Sequence, residues 1–119
     1  MVLVDTSVWV AHLRQKNREL ATLLDKTQVM MHPFIIGELA CGQLKNRREV
    51  LSLLHVLPEA PVVTQSEFLH LIDHHSLAGH GIGFVDAHLL ASSELMNTSL
   101  WTLDKSLHRI AQKLHLAFA

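Results

Sequence analysis

Four of the eleven acidic residues stand in apolar surroundings. Asp5 ends the run Val2-Leu3-Val4, and Glu38 lies between Phe34-Ile35-Ile36-Gly37 and Leu39-Ala40. Asp86 lies between Phe84-Val85 and Ala87-His88-Leu89-Leu90, and Asp104 follows Leu100-Trp101-Thr102-Leu103. The other acids, Glu19, Asp25, Glu49, Glu59, Glu67, Asp73 and Glu94, fit solvated faces, helix ends or loops. A carboxylate taken into apolar surroundings costs several kcal/mol unless it is paired or binds a metal. No Lys or Arg lies inside any of these runs, and Lys105 only borders the last one. One shared cation of higher charge answers this better than four separate ion pairs. Oxygen ligands without a thiolate select Mg²⁺ or Mn²⁺ over zinc. Thr6, Ser7 and Thr102 add hydroxyls that can orient the carboxylates or water on the metal. Taken singly, Asp5 and Asp104 also read as helix caps, an explanation that suits Glu38 and Asp86 less well.

These residues need elements that bring them together. Apolar periodicity places strands at 2–5, 28–31, 61–63, 99–103 and 116–118. Helices are expected at 6–14, 18–25, from His32-Pro33 to about Gly42, and at 46–55, 67–77, 84–96 and 105–114. Strands separated by helices require crossovers, so the fold class is α/β with a mostly parallel sheet. Asp5 and Asp104 then end strands at the same sheet edge, and Glu38 and Asp86 lie early in helices that follow loops there. Ligands of open parallel sheets bind beyond the carboxyl ends of the strands.

The length of 119 residues suits a single domain over 1–119. Charged residues make up 18%, below the usual ~25%, which points to surface covered by a second copy or a protein partner. A net charge of -1 gives no broad attraction for nucleic acid. Any such ligand must be held locally, by the metal and short clusters such as Arg14-Lys16-Arg18, Lys45-Arg47-Arg48 and Lys105-Arg109-Lys113, each of which also reads as a solvated helix end. The lone Cys41 cannot form an internal disulfide, and neither a signal peptide nor a run of ~18 apolar residues is evident. A soluble, cytoplasmic protein is the expectation.

Four segments, Val4-Asp5-Thr6-Ser7-Val8-Trp9, Ile36-Gly37-Glu38-Leu39 with Gly42, Gly83-Phe84-Val85-Asp86-Ala87-His88-Leu89-Leu90-Ala91 and Trp101-Thr102-Leu103-Asp104-Lys105, together resemble the PIN-domain family. Within that family they are most similar to the VapC-type toxins of bacterial toxin–antitoxin pairs. The resemblance implies a three-layer α/β/α domain whose five-stranded sheet has the order 3-2-1-4-5. It implies RNA cleavage with Mg²⁺ or Mn²⁺ held by Asp5, Glu38, Asp86 and Asp104, supported by Thr6, Ser7 and Thr102. A homodimer and a VapB-type antitoxin whose tail enters the site are implied as well. Cleavage by metal-activated water needs no histidine and leaves a 5′-phosphate and a 3′-hydroxyl. The chain departs from the family in being slightly short and in carrying ten histidines.

Other assignments fit less well. His70 and His74 have the helical spacing of a zinc pair, but no HExxH pattern exists, and solvated helix residues explain them. His12 or His108 could serve metal-free cleavage, yet no second feature pairs them. Trp9 and Trp101 could stack on bases, though packing suits both better. Gly79, Gly81 and Gly83 follow no strand and read as a turn. A receiver-type signalling domain wants acids where Thr6-Ser7 and Thr64-Gln65 stand, and a haloacid-dehalogenase-type phosphatase wants Asp where Ser7 stands. A catalytically idle PIN-like binding module remains as the alternative function.

Overall fold

A computed structural model describes residues 1–118; the expected domain boundary at residue 119 lies outside the described residues. Strand β1 (Val2–Val4) leads into helix α1 (Thr6–Arg14), then α2 (Arg18–Asp25) and strand β2 (Val29–Met30). Helices α3 (Pro33–Cys41), α4 (Arg47–Val56), α5 (Gln65–His74) and α6 (Phe84–Met96) follow, then strand β3 (Ser99–Trp101) and helix α7 (Lys105–Lys113). The sheet runs β2-β1-β3 with both pairings parallel. Leu3 is in register with Met30 on one side and Leu100 on the other.

Val2, Leu3 and Val4 are all buried. Successive strand residues point to opposite faces, so both faces of β1 are covered, as a parallel sheet requires. Leu20, Ile35, Leu89, Leu90 and Leu107 supply fully buried side chains from four of the helices.

The expected five-stranded sheet is reduced to three strands. The two outer positions are single parallel bridges, Met31 with Glu59 and Leu100 with Ala117. At the first, Met31 N–H donates to Pro58 O and Ala60 N–H donates to Met31 O, each at 2.7 Å. Pro58 and Pro61 flank that contact and have no N–H to extend a ladder. The strand expected at 61–63 is therefore absent, and the contact falls at Glu59 instead. At the second edge, bonds from Leu100 N–H to Leu116 O and from Phe118 N–H to Leu100 O enclose Ala117.

Local chemistry sets the helix starts. Thr64 and Glu67 form a reciprocal capping box, so α5 begins at Gln65, two residues earlier than expected. His32 caps α3, its Nδ1 accepting from Phe34 N–H at 3.0 Å, and Pro33 fills the first helical position. No described helix is long and apolar enough to cross a membrane.

Candidate active site

Asp5 is the N-cap of α1, just beyond the end of β1. The ladder continues through it, since Asp5 N–H donates to Trp101 O at 2.8 Å. Its Oδ1 accepts from Thr6 N–H at 2.7 Å. Its Oδ2 accepts from Ser7 Oγ at 2.8 Å and from Thr102 Oγ1 at 2.7 Å. Both hydroxyls are themselves fixed, Ser7 Oγ by Leu103 N–H at 3.0 Å and Thr102 Oγ1 by Asp104 N–H at 3.0 Å. The three hydroxyl residues chosen from the sequence thus all contact the proposed carboxylates, for Thr6 Oγ1 donates to Glu38 Oε1 at 2.6 Å. That bond ties the start of α1 to α3.

Asp104 caps α7, its Oδ1 accepting from Leu107 N–H at 2.9 Å. Asp86 is the third residue of α6 and is half-buried. Its pKa is pushed up to about 6, first by burial and then by the charges of Asp5, Asp104 and Glu38. The positive end of the α6 dipole acts in the opposite sense and does not prevail. Asp86 is thus placed in the fields of all three other acids. Among the described residues the one ion pair is His75 with Glu94, so no basic side chain neutralises the four. Nor do three or more His, Cys, Asp or Glu side chains there converge into a ready ligand set. As a donor set, carboxylate oxygens with uncompensated charge suit a hard divalent cation.

Some expectations about position fail. Asp104 does not end a strand, because β3 stops at Trp101, and Glu38 sits in the second half of α3 rather than early in it. Glu38 and Asp104 are exposed, and only Asp5 is fully buried. Apolar neighbours in sequence did not mean apolar neighbours in space, since the turn of α3 carries Glu38 away from its flanking side chains and Asp104 stands at the exposed cap of α7. Trp9 is buried, with its Nε1 unpartnered, and Trp101 packs on Phe118 at 5.2 Å. His70 and His74 stack on each other at 5.5 Å.

The sequence offered no reading of two features beside the site. In the first, His32 Nδ1 accepts from Phe34 N–H, so its proton is on Nε2, which donates to Ser92 Oγ at 3.1 Å. Ser92 Oγ in turn donates to Pro61 O at 2.8 Å. This buried chain joins α3, α6 and the segment before α5. The second is a cluster of Phe34, Phe68, Phe84 and His88. The helical spacing of Phe84 and His88 was its only signal.

The PIN domain family model matches residues 2–113. The chain is 45% identical to Ribonuclease VapC32 of Mycobacterium tuberculosis, in strains CDC 1551 / Oshkosh and ATCC 25618 / H37Rv, over 100% of this chain and 97% of that protein. Among solved structures it is similar to FitAB bound to IR36 DNA fragment, with TM-score 0.62 and 16% identity over 94% of this chain and 91% of that one. It is equally similar in fold to FitAcB from Neisseria gonorrhoeae, with TM-score 0.62 and 17% identity over 94% of each chain. The order of elements, the parallel sheet and these likenesses agree, and the chain belongs to the PIN-domain family, within its VapC type.

Proposed function

We propose that this protein is a divalent-metal-dependent endoribonuclease acting as the toxin of a toxin–antitoxin pair. One observation carries the metal site: half-buried Asp86 lies within the electrostatic reach of Asp5, Asp104 and Glu38, and among the described residues no ion pair offsets these four charges. The name of the 45%-identical relative supports RNA as the substrate.

Asp5, Glu38, Asp86 and Asp104 would hold Mg²⁺ or Mn²⁺, which supplies charge neutralisation and Lewis-acid activation of water and phosphodiester. Thr6 N–H, Ser7 and Thr102 fix both oxygens of Asp5, so that carboxylate is oriented before any ligand arrives. Thr6 Oγ1 orients Glu38 in the same way. Among the described residues Asp86 has no such hydroxyl partner, and its carboxylate oxygen would take the proton of the attacking water. Water adds across the P–O3′ bond: its oxygen joins phosphorus, and O3′ leaves with a proton. The products are a 5′-phosphate and a 3′-hydroxyl.

The low charge fraction of 18% supports a homodimer and a VapB-type antitoxin covering part of the surface. The lone Cys41 supports a cytoplasmic setting.

The test is incubation of the purified, antitoxin-free protein with total cellular RNA and Mg²⁺ or Mn²⁺, beside Asp5→Asn and an EDTA control. Asn keeps an oxygen for the Thr6 N–H cap but turns an NH2 towards Ser7 and Thr102, so circular dichroism accompanies the assay to check that the variant is folded. Discrete fragments from the wild type alone, abolished by EDTA, are expected. Equal cleavage by both proteins would remove Asp5 from the site, and no cleavage by either would favour the idle binding module.

A further inference from the structure

Phe84 opens α6, two residues before Asp86, and is 60% exposed. One exposed apolar side chain is ordinary. The backing of this one is not. Its ring lies 6.3 Å from that of Phe34, near parallel at 27°. Phe68 lies 5.2 Å away and His88 4.6 Å away, and His88 itself stacks on Phe68 at 4.3 Å. Phe68 and His88 are buried and Phe34 is half-buried. The ring of Phe84 is therefore packed against three other rings while much of its surface stays exposed.

Its place follows from α3. Phe34 and Glu38 are four residues apart on that helix, hence neighbours on one face, about one turn apart. Glu38 is bonded to Thr6, the residue after Asp5. A Cβ built on Gly83 would come 3.9 Å from Asp86 Oδ2, so the Asp86 carboxylate leans back towards the residue preceding Phe84. One turn of α3 therefore separates the aromatic cluster from Glu38, the acid that α3 brings to the proposed site.

We infer that Phe84 is a base-stacking platform, whose open face receives an unpaired nucleobase of single-stranded RNA beside the phosphodiester at the acid site. This rests on the ribonuclease function proposed above. A chain with a net charge of -1 and an acidic site gains little from general attraction to phosphate. Stacking on an aromatic face supplies affinity without charge, and it selects unpaired bases because those in a duplex are already stacked. A ring already held in place loses little freedom when the base arrives.

The experiment uses full-length Asp86→Asn protein as a non-cleaving background and measures anisotropy of a short fluorescein-labelled single-stranded RNA of mixed sequence. Phe84→Leu keeps apolar bulk against Phe34 and Phe68 but has no aromatic face, and it should weaken binding about tenfold. Phe84→Trp should retain affinity, with its added emission quenched by the single strand and not by the duplex. With the acids intact, Phe84→Leu should raise KM more than it lowers kcat. Equal RNA affinity for Phe84→Leu and its parent overturns the platform while leaving the ribonuclease standing, and makes the ring a contact for a protein partner. Unquenched Phe84→Trp with RNA bound overturns it too. A wild type that neither binds nor cleaves RNA overturns the ribonuclease function and the platform with it.

Discussion

Thr102 Oγ1 donates to Asp5 Oδ2 at 2.7 Å across the pairing of β1 and β3, and Thr102 Oγ1 also accepts the N–H of Asp104 at 3.0 Å. One buried hydroxyl thus links two of the proposed metal-holding residues. Thr102→Val keeps the shape, removes the donor from Asp5 and leaves Asp104 N–H without its acceptor. Chemical denaturation should show a loss of about 1–3 kcal/mol. RNA cleavage should fall more than the fraction of folded protein does, because Asp5 loses a donor that orients it.

Asp86→Asn should raise stability and abolish cleavage together. The folded pKa of about 6 lies above the ordinary value, so Asp86 favours folding in its protonated form. That contribution is fully present below pH ~4 and is lost as pH rises through about 6. In EDTA at neutral pH the charged carboxylate, its cost reduced by solvent screening at a half-exposed site, is a burden of about 1–2 kcal/mol, which Asn removes. Thermal melts in EDTA should therefore separate the two proteins at pH ~7.5 and bring them together at acid pH. An Asn variant that melts lower than wild type at neutral pH would contradict the crowding of the four acids.

His32 responds to pH in the opposite sense. Burial, then the neighbouring His88, lowers its pKa to about 4. The neutral ring is the form that accepts from Phe34 N–H, so its stabilisation is intact above the unfolded pKa of ~6.5. It is lost as pH falls towards about 4, on the order of 3 kcal/mol in total. His32→Asn can still cap α3 and does not titrate. The stability difference between wild type and His32→Asn should shift by that amount in favour of the variant over this window. A pH-independent difference would mean that His32 charges without penalty.

The acids were legible because their surroundings in sequence were unlike those of the other acids, and the hydroxyls because they adjoin them. Helix order was legible from periodicity. The outer strands were not, because Pro61-Val62-Val63 has strand-like composition while the backbone bonds depend on Pro58 and Pro61 lacking donors. Burial was misjudged at Glu38 and Asp104, where three-dimensional direction decides and linear neighbours do not. The chain from His32 to Ser92 to Pro61 joins residues far apart in sequence, each of which has an ordinary local explanation. No spacing rule could have connected them.

The single bridge at Met31 and Glu59 bears on how this protein can associate. Pro58, Glu59 and Pro61 are all exposed along that margin of the sheet. Two residues without donors and one charge make it a poor template for an incoming strand. A partner chain, or a second copy, is thereby directed away from β-strand addition at this margin and towards contacts made by helix side chains. The protein can be crowded at high concentration without zipping together along that side.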